Sequence, residues 1–368
     1  MSEFIQYHIL TTYPPSNLNR DDMGYPKSVM IGNTQRLRIS SQALKYAWRN
    51  SNVFEEHLLG HISIRTRLLP KYLINVLVNG YSLCNALYNS DYTPIRKKLG
   101  EKDAEKIAVA ISELFGEVNK KKMQHAALFV FSPHELSLID TCIENSFTNK
   151  KDVDIKKLND DLTNIISIYK SADIAMFGRM SAKEQKFTSD AAIQVGHAFT
   201  VHACDIEDDY FTAVDDLESI EDAGSAHLDT FKFGAGIYYL YICVNRTLLL
   251  KNCNNDENLV NKILDAFTQT ILTISPGAKQ NSFASRAYAN YVFIERGNCQ
   301  PRNLANAFIK PIAPRDNDIL FDAIEKLNKT VNDFNTIYGL CSDKTYTIDV
   351  NKNVGTLHGA FAFLKESL

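Results

Sequence analysis

The chain has 368 residues, 45% hydrophobic and 23% charged, with a formal net charge of −3. That is enough sequence for a substantial core in about two domains, or one domain with large insertions, at an ordinary globular composition. It excludes a chain built to span a bilayer, because no apolar stretch is long enough, and a protein basic all over, so any nucleic-acid contact has to be a local groove.

The first residues, MSEFIQYHIL, lack a basic region followed by an apolar one, so no export signal is expected and the cytoplasm is the expected location. Seven cysteines (84, 142, 204, 243, 253, 299 and 341) are scattered without a CxxC pair. They are expected as reduced, small apolar groups rather than a disulfide frame or a zinc site, and no cofactor is expected.

Phe4 to Leu10 is a β-branched and aromatic run of strand length, expected as a central strand closing at Pro14-Pro15, with His8 a core or sheet-face histidine. Leu18 to Lys27, LNRDDMGYPK, carries Gly24 and Pro26 and is expected as a loop. Arg36-Leu37-Arg38-Ile39 alternates, which on a strand puts both apolar residues on one face and both arginines on the other. Ser40 and Ser41 then offer N-cap side chains for a helix ending near Asn50 to Asn52, with Leu44, Ala47 and Trp48 inward. A helix start flanked by Arg38, Lys45 and Arg49 is suited to an anion. An ordinary corner with surface charges is equally open on these residues alone. Between Arg20 and Arg49 stand six Arg or Lys (20, 27, 36, 38, 45, 49) against Asp21 and Asp22, which favours an extended polyanion over one small phosphate.

From about residue 60 the chain turns helical and lysine-rich. Ala104, Ile107, Ile111, Leu114 and Val118 form one amphipathic stripe, and Ile155, Leu158, Leu162, Ile165, Ile166 and Tyr169 a second. The lysines opposite, including Lys120 to Lys122, read as a solvated face. In Asp173 to Ser181, DIAMFGRMS, the residues Met176 and Phe177 read as core. Ile193, Val195, His197, Phe199 and Val201 are expected along one strand face; His197 and His202, five apart, cannot share a metal on strand or helix, so no metal site is expected there. Asp205 to Asp222 carries nine acids and no Lys or Arg, which rules out a phosphate cradle. Gly234-Ala235-Gly236 fails as a dinucleotide loop because Ile237 to Asn245 continues as a strand and the preceding run is not strand-like. Glu257 to Ile274 and Asp316 to Tyr338 are expected helices, Ser275 to Asn281 a turn presenting Lys279, and Tyr291 to Glu295 an edge strand; the tail from Ser342 carries little signal. The order implies an α+β sheet domain with insertions rather than a parallel doubly wound sheet.

LNRDDM, Lys27, RISSQALK with its trailing arginine, DIAMFGRM, DYFTAVDDL, GSAHL and PGAKQ fall in one order along the chain. Together they resemble the CasC-type backbone subunit of the type I-E CRISPR surveillance complex, Cascade; the match is poor near residues 60–160 and in the tail. The resemblance implies a modified RNA-recognition-motif (ferredoxin-like) palm of 1–59, 182–204 and 231–368, helical fingers over 60–181 and a thumb loop over 205–230, hand-like. It implies a non-catalytic protein that stacks head to tail along guide crRNA, with target single-stranded DNA and other Cascade subunits as partners and no membrane. Arg20, Lys27, Arg38, Ser40, Ser41, Gln42, Lys45 and Arg49 match positions that hold the RNA backbone, and Lys279 is a further candidate. Met180 matches an apolar residue leaning on a displaced base, and Phe211 and Val214 are the candidate wedge of the thumb. The rival is a metal-dependent endoribonuclease like the type III relatives, using Asp21 or Asp22; no HD dipeptide or compact metal-ligand spacing accompanies them.

Overall fold

The computed structural model describes residues 2–149, 153–168, 170–181, 185–213, 227–313 and 318–366. Its contacts divide the chain into two units: Met1–Glu56 with Gln194–Arg246 and Leu264–Leu368, and His57–Ile193 with Thr247–Ile263. The division falls at 56/57 and 193/194, against expected boundaries at 59/60 and 181/182, and puts Thr247–Ile263 with the second unit. Among the described residues no helix is long and apolar enough to cross a membrane.

The first unit is built on a large antiparallel sheet, so the chain is of the mixed α and β class. Strand β1 (Phe4–Ser16) pairs with the long strand His227–Asn245 on one side and with Tyr291–Gly297 on the other. The order across the sheet is Lys344–Asp349, Tyr291–Gly297, β1, His227–Asn245, Ala198–Thr200, β3 (Thr34–Ile39) and β2 (Ser28–Ile31), and Glu207–Ala213 pairs with the first half of the long strand. β1 is buried from Ile5 to Leu10 without alternation because both its faces are covered there. Leu10 faces a cluster with Tyr239, Tyr291 and Phe308 under the helix Ile319–Tyr338. Tyr7, of opposite parity, meets Phe267 edge-on, and Phe267 in turn meets Trp48 of helix α1 (Ser41–Arg49). His8 is fully buried, as expected: Tyr239 Oη lies 2.9 Å from its Nδ1 and Glu295 Oε2 3.1 Å from its Nε2.

Several expectations give way here, each for a tertiary reason. β1 runs on through Pro14 and Pro15, because its register to the long strand shifts between Tyr13 and Ser16 and leaves the prolines without ladder bonds to donate. Gly234-Ala235-Gly236 lies inside a strand of 19 residues. Glycine is needed at Gly236 for close approach, since a Cβ there would stand 2.8 Å from Thr200 Cγ2 and 3.2 Å from Cys204 Sγ. Tyr291–Gly297 is not an edge: the tail supplies Lys344–Asp349 as the outer strand, followed by a helix Leu357–Lys365 whose Phe363 stacks on Tyr346. The expected strand over 192–204 is two short ones, Ile193–Val195 and Ala198–Thr200, and His197 sits exposed in the break.

The second unit packs the helices Leu69–Asn79, Glu101–Glu113, Pro133–Asn149 and Ile155–Ile168 around one core that includes Leu73, Ile111, Ile139 and Leu162. Phe115 makes ring contacts with Phe129, Phe131 and Phe187 at 5.0 to 5.4 Å. The two expected stripes supply Ala104, Ile111, Leu158 and Leu162 to this core. Tyr169 lies outside the described residues.

Candidate nucleic-acid interface

The turn from β3 into α1 forms as its residues dictate. Ser40 is extended (φ −71°, ψ 148°), and its Oγ accepts from Ala43 N at 3.3 Å, capping a helix whose Leu44 and Trp48 are buried. The loop before it is tied to this corner at several points. Ser40 N donates to Asn19 Oδ1 at 2.9 Å, Lys27 N to Asn19 O at 2.8 Å, and Arg38 N to Lys27 O at 2.7 Å. Asn17 Nδ2 spans from Gly24 O at 3.0 Å to Lys232 O at 2.8 Å. Asp21 Oδ1 accepts from Met23 N at 3.0 Å and Tyr25 N at 2.8 Å, so this carboxylate shapes the loop.

The basic residues separate into two kinds. Arg36 is fully buried and donates to Thr200 O at 2.8 Å and Phe308 O at 3.1 Å, so it leaves the patch counted from sequence. The two arginines on that face of the strand thus part ways, because the carbonyls of Thr200, Phe308 and Ile309 take the Arg36 guanidinium into the fold. Arg38 is partly exposed and its Nη1 lies 2.7 Å from His197 Nδ1. Arg20, Gln42 and the Asp21–Asp22 pair are exposed; Lys27, Ser41, Lys45 and Arg49 are partly so. Burial lowers the Lys45 ammonium's pKa, a cation short of solvation at the helix start.

Within the same unit a surface cleft of about 760 Å³ is lined by Arg20, Asp21, Asp22, Ala43, Tyr46 and the turn Pro276–Ala278. Two stretches more than 200 residues apart in sequence thus meet at one opening. Lys279, next in that turn, has left-handed backbone (φ 54°) and sets its Nζ 4.0 Å from the centroid of Phe231. Phe231 stacks on Phe211 at 4.5 Å with rings 22° apart. Phe211 is therefore part of a stack on the hairpin Glu207–Ala213 with His227–Asn245, and Val214 lies outside the described residues. Of the acids here, Asp208 pairs with Lys232, whose Nζ lies 5.1 Å from the Tyr25 ring centroid.

Met180 belongs to the second unit and is 87% exposed, beside the buried Met176 and the partly exposed Phe177. It is presented by a locked corner. Arg179 donates to Phe187 O at 2.8 Å, Val130 O at 2.9 Å and both oxygens of Glu135 at 2.9 Å. Gly178 (φ 76°) admits no side chain, since a Cβ would stand 2.7 Å from Ser189 O.

Among the described residues no group of three or more His, Cys, Asp or Glu is arranged to hold a metal. His197 and His202 have separate duties: His202 Nε2 accepts from Ile237 N at 3.1 Å, and its Nδ1 lies 2.9 Å from Ala203 O. His197, Tyr46 and Phe231 are the site residues that sequence reasoning missed. Tyr46 stands between RISSQALK and its trailing arginine, a usable signal; nothing local marks His197, which its strand partner brings to Arg38.

The protein-family profile described as "CT1975-like protein" matches residues 5–365. No curated protein matches the chain. Among solved structures, a chain titled "CRISPR RNA-guided surveillance complex, pre-nicking" is 26% identical, with a TM-score of 0.77 over 97% of this chain and 95% of that one. A second, titled "CRISPR RNA-guided surveillance complex", shares the fold at 22% identity and a TM-score of 0.58, covering 98% of both chains. The motif resemblance and these whole-chain matches agree on a protein of the CRISPR surveillance machinery, and by the span of the profile match the chain belongs to the CT1975-like protein family.

Proposed function

We propose that this chain is a non-catalytic backbone subunit of a type I-E CRISPR surveillance complex. Copies stack head to tail along a cytoplasmic guide crRNA, a heterologous contact that does not close on itself and so grows as a helical filament. Each copy holds backbone phosphates with Arg20, Lys27, Arg38, Lys45, Arg49 and Lys279, aided by Ser40, Ser41 and Gln42. Contacts of this kind position a strand without reading its sequence, which leaves the bases, displaced at intervals by Met180 and the thumb around Phe211, to pair in segments with target single-stranded DNA. Other subunits of the assembly complete the particle.

The observation that carries this reading is the cleft where the Leu18–Lys27 loop, α1 and the Pro276–Ala278 turn meet, lined by Arg20 beside Asp21 and Asp22 and by an exposed Tyr46, with Lys279 next in the turn. The strand order Tyr291–Gly297, β1, His227–Asn245, Ala198–Thr200 supports a ferredoxin-like palm. With α1 after β1 and Glu257–Thr273 after the long strand, the units fall in the sequence βαββαβ. Against the endoribonuclease reading stands Asp21, whose Oδ1 is occupied with two loop amides.

Expression with a CRISPR transcript and partner subunits should yield one large complex holding a discrete short RNA; absence of RNA even at low ionic strength sinks the proposal. Multiple-turnover, magnesium-dependent cleavage of target RNA that Asp21→Ala or Asp22→Ala abolishes would establish the enzyme instead. Lys45→Ala should lower the slope of log affinity against log salt by roughly 0.7, the single-strand value for one phosphate contact.

A further inference from the structure

We propose that His197 is a phosphate ligand of this interface whose protonation is coupled to RNA binding, an inference that rests on the RNA-binding reading above. The chain breaks its strand at Gly196 and His197, with Gly196 N donating to Tyr241 O at 2.9 Å, and resumes pairing at once, Ala198 opposite Ile39 and Phe199 opposite Arg38. This delivers an exposed imidazole to the Arg38 guanidinium, with His197 Nδ1 and Arg38 Nη1 2.7 Å apart. A guanidinium only donates, so Nδ1 accepts, and the ring is neutral with its proton on Nε2. Among the described residues Nε2 has no hydrogen-bond partner.

Three basic side chains thus act at one place, Arg38 by direct contact with the ring and Lys27 through its charge. Burial, then the charges of Arg38 and Lys27, hold the His197 pKa below the ordinary histidine value; these two cations are the charged groups that act on the ring. No carboxylate takes part in that balance. An RNA phosphate entering here reverses it. Arg38 turns from Nδ1 to the phosphate oxygen, Nε2–H donates to the same anion, and Nδ1 takes a proton from solvent. Binding then carries proton uptake, so acid tightens the complex. The alternative is an imidazole that only orients Arg38 and never meets RNA.

The test uses the full-length chain and a uridine oligoribonucleotide, whose bases do not titrate in the range, at fixed salt and at about pH 8 and about pH 6. Wild type should bind about fivefold more tightly at the lower pH. His197→Gln, which keeps a side-chain donor and acceptor but cannot charge, should lose that gain and bind equally at both pH values. His197→Ala should be weaker at the higher pH and equally flat. A gain that survives in either variant, or is absent from wild type, overturns the proposal. If Lys45→Ala weakens binding at both pH values while the gain survives His197→Gln, the interface stands and only the role of His197 falls; if no protein binds the oligonucleotide at low salt, the RNA-binding reading itself fails.

Discussion

Two arginine-bearing corners, one in each unit, use the same side chain to opposite ends. In the second unit Arg179 is 6% exposed and closes on the 1%-exposed Glu135, two backbone carbonyls and the faces of Phe129 and Phe187. Its charge is consumed by the fold, and what the corner offers to solvent is the apolar Met180. In the sheet unit Arg38 is partly exposed and donates to a neutral imidazole rather than to a carboxylate. A guanidinium held by a neutral acceptor keeps its charge for an incoming anion. Local sequence does not distinguish the two, for each is followed by one apolar residue and a serine, Arg38-Ile39-Ser40 and Arg179-Met180-Ser181. The partner decides, and the partner comes from far along the chain: Glu135 for Arg179, His197 for Arg38.

The comparison breaks most visibly at Arg179. Arg179→Leu leaves Glu135 buried without its counter-ion and should cost about 3–5 kcal/mol, the usual penalty for a stranded buried charge. Urea unfolding reads this directly, and a loss under 1 kcal/mol would mean that Arg179 is not the lock. Arg36 gives a sharper contrast because it shares β3 with Arg38. Arg36→Met strands the carbonyls of Thr200 and Phe308 and should cost about 1–3 kcal/mol while leaving the salt dependence of RNA binding as it was. A changed salt slope would return Arg36 to the phosphate-contacting set.

How much of this was legible in the sequence follows the range of the forces involved. Local patterns sufficed for β1, for α1 with Ser40 as its cap, and for the stripes through Ile111 and Leu162, because period and capping are encoded within a turn or two. The long strand through Gly234-Ala235-Gly236 was missed, since glycines lower strand propensity and only the nearness of Thr200 and Cys204 explains them. The outer strand Lys344–Asp349 was missed because its pattern is half-buried and polar, as an edge is. At the site, the basic residues were legible as a local excess. That Arg36 is architecture, and that His197 belongs beside Arg38, required the pairing of β3 with Ala198–Thr200. The turn presenting Lys279 was legible, but its place in the cleft was not, since nothing local ties Pro276–Ala278 to the Leu18–Lys27 loop.

A buried histidine supplies a pH-dependent counterpart to the exposed His197. Burial holds the His8 pKa below the ordinary value, against the pull of Glu295. For Glu295 burial raises the carboxyl, but the His8 hydrogen bond and the Arg302 guanidinium outweigh it and leave the group below its usual range. The unfolded chain therefore takes up protons more readily at both positions. Stability should be full above about pH 6.5 and fall as the pH drops below it, with Glu295 extending the loss below about pH 4.5. His8→Gln should show a smaller drop in urea midpoint between about pH 7 and about pH 5.5 than wild type. An equal drop would assign the acid sensitivity to other groups.

The finest test of the comparison is Arg38 itself. If its charge is reserved for an anion, Arg38→Ala should leave folding within about 1 kcal/mol of wild type, because a partly exposed cation donating to a neutral imidazole contributes little to stability. The same variant should lower the salt slope of RNA binding by roughly 0.7, as Lys45→Ala does, and the two together by roughly twice that, since separate phosphates add. A double variant no lower in slope than either single one would mean that Arg38 and Lys45 hold the same phosphate. The anion would then be gripped at one point beside the start of α1, and the groove would have to continue along Arg20 and the Pro276–Ala278 turn rather than along β3.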